Sequence, residues 1–292
     1  MPATESSRQQ AYESPPRSSS LARRMGRRLS TFFRPKLHHK RMSRREATYW
    51  KEALRALYLS AYGLTMHPLE SDASIVPPKT VIEVVQGRGK DDPTTFFASG
   101  YRETLRYHTL LRAHGFDVTR MRRMLDLGVG TGRVLVHFLP FAIERHGCDV
   151  APEAYAWTSR TLGAYATLHQ TSLRPELPFA DDFFDLIIAT SVFTHMPYAA
   201  QPAWIRELRR VLAPGGCVLA TVQDFAKLPC EARERGWHET GTERGIHMRT
   251  FLSESKVVEV WGASFGTMDV RAYPPGQAFL LAVNDGNGHL AG

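Results

Sequence analysis

From Arg123 onward the chain alternates short apolar, β-branched runs with stretches of helical periodicity. No other feature limits its possible folds so strongly. RMLDLG, HGCDV, DLIIATS and CVLATVQ read as strands. DLIIATS is apolar along its whole length, as a strand covered on both faces must be. Helices are expected from Thr131 to about Ile143, with Pro140 as a kink or early stop, and from Pro152 to Leu168. A third, Gln201 to Leu212, turns Trp204, Ile205, Leu208, Val211 and Leu212 toward one side. Alternating strands and helices imply a parallel sheet with helices on both faces. After a helix in MRTFLSESKVVEVWGAS come TMDVRAY and QAFLLAV, with only PPG between them. So short a link permits a hairpin and no parallel crossover, so the sheet should finish antiparallel.

Two helices should precede this array. One runs from Arg44 to Tyr62 and stops at Gly63; the other runs from about Tyr101 to His114 and stops at Gly115. Between them, TVIEVV reads as a short strand within the proline-rich loop 67–95. The expected organisation is a disordered basic tail over 1–43, an N-terminal helical cap region over 44–120, and an α/β domain over 121–292. Charge is divided accordingly. Residues 1–50 hold 12 Lys/Arg against 3 Asp/Glu, leaving 25 against 26 in the rest. The net +8 therefore belongs to the tail, and the balanced body gives no electrostatic case for nucleic acid. Within the tail, LARRMGRRLSTFF could form a basic amphipathic helix, so nucleic acid or an anionic membrane is a conceivable partner through residues 1–45 only. No apolar run is long enough for a transmembrane segment. Cys148, Cys217 and Cys230 show no CxxC spacing, which suggests neither a zinc site nor a disulfide framework, and a cytoplasmic setting is expected.

MLDLGVGTGR places Gly128, Gly130 and Gly132 between the first strand and the next element. Such a turn lets a ligand approach the backbone closely. The dinucleotide spacing is GxGxxG; here the third glycine comes one residue early and Arg133 follows it. Asp126, two residues before the turn, would repel a pyrophosphate and suit an ammonium or sulfonium. Asp149, at the end of HGCDV, lies 19 residues past Gly130, where an acid accepts hydrogen bonds from a ribose. The implied ligand carries a ribose and a positive charge and has no diphosphate.

At this point the chain resembles the class I S-adenosylmethionine-dependent methyltransferases, over roughly Phe97 to Val283. MLDLGVGTGR resembles the first motif of that family and GCDVAPEAY its ribose-binding segment. LPFADDFFDLIIATSVFTHM resembles its third and fourth strands with their flanks, and LRRVLAPGGCVLATV the approach to its fifth. The resemblance implies a Rossmann-like, seven-stranded, mostly parallel sheet with an antiparallel last strand. It also implies S-adenosylmethionine as cofactor. Asp126 would lie near its ammonium, the three glycines near its methionine portion, Asp149 on the ribose, and Ser172 and Leu173 beside the adenine. Many members carry an acid just after the third strand, where this chain has Thr171.

The acceptor should lie beyond the C-terminal ends of the strands, beside SVFTHMPY. His195 is the candidate base. Thr194, Trp237 and His247 are candidate acceptor contacts, with His238 and Arg249 beside them in the insert GWHETGTERGIHMRT. The fourth strand is followed by no Asn/Asp-Pro-Pro-aromatic turn, no Pro-Cys and no pair of glutamates. That demotes base-amine, pyrimidine-ring and protein-arginine acceptors. The expected reaction is methylation of a small-molecule acceptor at oxygen more than at nitrogen. The C-terminal pattern is similar to a bacterial subgroup associated with saccharide or surface-polymer precursors. The alternatives are a nucleic-acid methyltransferase using the basic tail, a dinucleotide oxidoreductase, and a non-catalytic module of the same fold.

Overall fold

The computed structural model describes residues 44–86, 93–241, 248–272 and 276–286. The chain parts into two compact units, 1–45 and 46–292. Apart from the first two residues of the first helix, every element below belongs to the second unit. The segment Leu21–Phe33 and the rest of the expected tail lie outside the described residues.

Seven strands form one sheet: β1 (Arg123–Leu127), β2 (Glu144–Asp149), β3 (Thr167–Gln170), β4 (Phe184–Ala189), β5 (Leu212–Gln223), β8 (Thr267–Ala272) and β9 (Gln277–Val283). Their order is β3-β2-β1-β4-β5-β9-β8. The first five pair in parallel, while β9 runs antiparallel to both β5 and β8. The expected Rossmann-like sheet with an antiparallel end is thus present. Strand order reverses beside β1, which opens a crevice at the C-terminal ends of β1 and β4.

Alternate residues of each strand face opposite ways. Met124, Leu186, Ile188 and Leu219 enter one buried cluster, and Leu125, Ile187 and Val218 enter the other. The second cluster lies against α5 (Gln201–Val211) and α6 (Glu254–Gly262), through Trp204, Ile205, Leu208, Val257 and Trp261. Four buried residues of α5 are those expected from its periodicity; the fifth, Leu212, already belongs to β5. A further helix, α4 (Pro152–Leu162), precedes β3.

The first cluster is covered differently from expectation. In place of a helix over 131–143 there is a single 3-10 turn, Leu135–Phe138, whose four side chains are all buried. Seven residues separate Gly132 from Pro140, and VLVHFL offers almost no polar face to solvent. A proline cannot continue the helical hydrogen-bond ladder, so the segment stays short. The chain's N-terminal helices take its place. Tyr58 and Leu59 of α1 (Arg44–Ser60), and Tyr107, Leu110 and Leu111 of α3 (Pro93–Ala113), pack into this cluster. What reads in sequence as a cap region forms one of the sheet's two covering layers. Close approach is required: a Cβ on Gly100 would lie 2.0 Å from the Arg133 carbonyl oxygen.

A buried ionic contact fastens this layer. Arg55 Nε donates to Glu70 Oε2 at 2.8 Å, the His137 Nδ1 lies 2.8 Å from the same oxygen, and Arg55 also donates to the His137 carbonyl. Burial alone would raise the Glu70 pKa, but hydrogen bonds from His137 and Arg55 hold it below the ordinary carboxylate value. Removing one partner of such a buried contact costs about 3–5 kcal/mol.

Three more expectations are corrected. TVIEVV lies within a helix, α2 (Lys79–Gln86). A six-residue apolar run does not separate strand from helix, and here Pro78 settles it: its carbonyl accepts from Val81 and Ile82, opening a helical turn. The helix from Pro152 ends at Leu162, with Gly163 as its cap, leaving room for β3. Finally, the glycine-spaced insert holds an unforeseen two-stranded sheet, β6 (Trp237–Thr240) antiparallel to β7 (Arg249–Leu252).

Candidate functional site

The glycine turn closes against its neighbour strand. Gly128 and Val129 both donate to the Cys148 carbonyl, at 2.8 and 2.9 Å. Gly128, Gly130 and Gly132 have φ of 69°, 55° and 78°, the left-handed region where side chains are strained. A Cβ on Gly128 would also lie 2.5 Å from Val192 Cγ2. The glycine turn therefore abuts the loop after β4.

Two carboxylates sit behind it. Asp149 accepts from Gly130 N at 2.7 Å and from Ala151 N at 2.8 Å, so its spacing from the glycine is first a structural tether. The carboxylate keeps a lone pair for a further donor. Burial pushes its pKa up, and the backbone donors at Ala151, Gly130 and Val150 oppose that. Asp126 is more unusual. It is buried, and its Oδ2 has no hydrogen-bond partner among the described residues. Burial pushes its pKa up to about 7; Arg133 pulls it down and Asp149 adds to the rise. A buried carboxylate with an unspent oxygen beside a second carboxylate is a place for a cationic donor. An ammonium-bearing, ribose-bearing ligand fits this pair, and a pyrophosphate does not. Ser172 and Leu173 follow β3, and Leu173 is 78% exposed. Its carbonyl is held by Trp204 Nε1 at 3.3 Å.

The loop after β4 forms the opposite wall. Ser191 has φ 62°, one of two non-glycine residues with positive φ among those described. Thr221 Oγ1 accepts its N–H at 2.7 Å, and its hydroxyl lies 3.0 Å from Gln277 Nε2. Thr190 Oγ1 lies 2.7 Å from Tyr107 Oη, which brings α3 to the mouth of the crevice. Burial lowers the Arg133 pKa, opposed by Glu103, Tyr107 and Asp126. None of Tyr107, Thr190, Ser191 or Gln277 is marked by sequence. Each acts through a contact between distant segments, and the positive φ of Ser191 falls on a residue type that does not announce it.

His195 stands on this loop, half-buried, with Nδ1 2.7 Å from the Met248 carbonyl. A carbonyl only accepts, so Nδ1 carries the proton and the neutral ring has its lone pair on Nε2. Thr194 has no exposed surface, and its hydroxyl donates to the Ser191 carbonyl. Trp237, on β6, stacks on Tyr198 with centroids 4.8 Å apart, and Arg235 Cζ lies 5.0 Å from the same ring. The structure thus gives Thr194 and Trp237 contacts within the protein. His238 Nδ1 lies 3.1 Å from Arg235 Nη2. His247 lies outside the described residues. Among the described residues no cluster of His, Cys, Asp or Glu could hold a metal ion, and no helix is long and apolar enough to cross a membrane. Cys148 and Cys217 are free and buried.

Comparison with known proteins agrees with this geometry. Residues 124–216 match the model of a family described as "Methyltransferase domain". The malonyl-[acyl-carrier protein] O-methyltransferase of Halorhodospira halophila is 32% identical over 137 residues, covering 43% of this chain and 42% of that protein. The chain thus spans less than half the length of this curated relative. The PH0226 protein of Pyrococcus horikoshii superposes with a TM-score of 0.51 at 16% identity, over 70% of this chain and 95% of that one. A putative S-adenosylmethionine-dependent methyltransferase of Listeria monocytogenes gives 0.50 at 9% identity, over 64% and 98%. These two likenesses concern the fold. Over residues 124–216 the chain thus matches a methyltransferase domain, and its sheet has the fold of these two structures. The unspent Asp126 oxygen and the glycine turn suit the ammonium and methionine portion of S-adenosylmethionine, the ligand that the sequence resemblance implies.

Proposed function

We propose that this chain methylates a small-molecule acceptor at oxygen, with His195 Nε2 as the general base. The observation that carries this reading is the 2.7 Å contact of His195 Nδ1 with the Met248 carbonyl, which aims a basic nitrogen away from β7. S-adenosylmethionine supplies an electrophilic methyl group on a sulfonium. Asp126 neutralises its ammonium, Asp149 holds its ribose, and Ser172 and Leu173 flank its adenine. His195 Nε2 would take the proton from an acceptor hydroxyl as that oxygen bonds to the methyl carbon, the sulfur–methyl bond breaking with its electron pair to leave S-adenosylhomocysteine. Most of the acceleration comes from alignment, since the donor is already activated. A hydroxyl needs the base; a carboxylate, ionised at neutral pH, does not. The Halorhodospira relative is by name an O-methyltransferase, which favours oxygen without fixing the acceptor. Saccharide hydroxyls, as in surface-polymer precursors, remain the favoured class.

The test measures S-adenosylhomocysteine release with hydroxylated glycosides, a malonyl thioester and primary amines as separate acceptors. Turnover of a hydroxyl acceptor that falls about 10²–10⁴-fold in His195→Gln supports the reading. Turnover confined to amines overturns oxygen as the target, and a His195→Gln variant with wild-type kcat overturns the base.

A further inference from the structure

The loop that carries His195 is irregular, yet its carbonyls are accounted for. Ser191 O accepts from Thr194 Oγ1 at 2.8 Å, and Phe193 O from Gln201 Nε2 at 3.1 Å. The remaining grip comes from β7. Thr250 N donates to Thr194 O at 3.0 Å, and Thr250 Oγ1 donates to Met196 O at 2.7 Å. These are the residues immediately before and after His195. The carbonyl that receives the His195 ring belongs to Met248, two residues before Thr250 on the same segment. Residues i and i+2 of an extended strand present their backbone groups to the same edge. β7 therefore pairs with β6 along one edge and fastens residues 194–196 along the other. Thr250 is 2% exposed, so water does not compete for these bonds.

We propose that Thr250 is a positioning residue for methyl transfer: by holding the peptides on both sides of His195, it keeps the ring on the Met248 carbonyl and so fixes the tautomer with Nε2 unprotonated. This rests on the reading of His195 as the base. It assigns the β6–β7 insert a task that the glycine turn and the sheet do not perform. The Thr250 hydroxyl is the group that matters, because Thr250 N stays in place in any substitution except proline. Val removes the hydroxyl at nearly constant volume and leaves Met196 O with the 3.2 Å contact to Gln201 Nε2. Ser keeps the hydroxyl and removes only a methyl group.

The experiment is nitrogen-15 imidazole NMR of the full chain above neutral pH, with the His195 signals assigned by their loss in His195→Gln. In wild type and Thr250→Ser the His195 ring should be almost wholly the Nδ1–H tautomer. In Thr250→Val that form should fall to a mixture, with kcat for the acceptor found above reduced about tenfold and S-adenosylhomocysteine affinity unchanged. A Thr250→Val ring that stays Nδ1–H overturns the proposal. A Thr250→Ser ring that loses it overturns the role of the hydroxyl, even where the Val variant fails to fold. The tautomer is read without any acceptor. A failure of His195 as base would therefore show only in the His195→Gln turnover and would be told apart from a failure of Thr250 as its support.

Discussion

The two walls of the crevice spend their polar groups differently. On the side of β1 and β2, Asp126 keeps an oxygen with no hydrogen-bond partner among the described residues, and the Asp149 oxygens accept from backbone N–H groups. On the side of the loop after β4, Ser191, Thr194, His195 and Thr250 all bond to other parts of the protein. The first wall leaves a buried carboxylate oxygen unsatisfied, as a site for a cationic ligand would. The second uses its groups to hold a shape. A generic cofactor site needs the former, while recognition of one acceptor needs the latter, because an irregular loop has no ladder of its own to define it.

The contact between the walls offers the largest test. Gly128→Ala would put a methyl group 2.5 Å from Val192 Cγ2, at φ 69°. The backbone strain is about 1–2 kcal/mol, and moving a stiff valine adds about 1–3 kcal/mol. Stability by denaturant titration should fall by that combined amount, and affinity for S-adenosylhomocysteine should fall with it. If the loop instead gives way freely, affinity will drop while stability holds, and the walls are less coupled than the packing indicates.

Asp126→Asn sharpens the contrast because its two effects have opposite signs. The folded pKa of about 7 lies above the unfolded value of 3.8, so the carboxyl favours the folded state at low pH. That contribution is lost as pH rises from about 4 through 7. Above neutral pH the ionised, unpartnered carboxylate costs the apo protein roughly 2–4 kcal/mol. Asn should therefore stabilise the apo protein at pH above 7 and leave it little changed below 4, which thermal melts across pH will show. The same variant should bind S-adenosylmethionine more weakly. Wild-type affinity should itself decline as pH falls below 7, since only the anion attracts the ammonium. A variant that is destabilised at high pH would mean that Arg133 offsets the burial of the carboxylate more than fully.

Asp149→Ala comes next. Loss of charge-assisted bonds to the ribose should cost about 1.5–3 kcal/mol, or roughly ten- to hundred-fold in affinity by calorimetry. Because Gly130 and Ala151 also lose an acceptor, Asp149→Ala should destabilise the apo protein as well, whereas Asp149→Asn keeps one acceptor oxygen and should fall between. Equal binding by wild type and the Ala variant would reduce Asp149 to its tether.

How much of this was legible in sequence follows the same division. The glycine turn, Asp126 and Asp149 lie within 25 residues, and their chemistry is local, so spacing and charge sufficed. The sheet was legible for a similar reason: DLIIATS and CVLATVQ carry their burial in their composition. The helix expected over 131–143 failed because a segment apolar on every side gives no periodicity, and its place is filled by helices from residues 44–113. Thr250, Met248, Tyr107 and Gln277 were invisible because each matters only through a partner more than 50 residues away. Trp237 is a candidate acceptor contact by its place in the glycine-spaced insert, and the structure stacks its ring on Tyr198.

The smallest effect tests the far end of the cofactor wall. Leu173 is 78% exposed, an unusual state for a leucine whose carbonyl is fixed by a buried tryptophan. A single exposed leucine is ordinary on any surface. This one follows β3, at the end of the strands where an adenine would lie against an apolar side chain. Covering part of that side chain would contribute about 0.5–1 kcal/mol, roughly one methylene's worth and less than full burial of a leucine gives. Leu173→Ala should therefore leave the melting temperature unchanged and weaken S-adenosylhomocysteine binding about two- to fivefold. The loss should be the same for adenosine alone, because the contact is with the base and not with the methionine portion. If Leu173→Ala leaves adenosine binding unaffected while Asp149→Ala weakens it, the ribose is anchored as proposed and the base leaves by another side of β3. The wall would then end at Asp149.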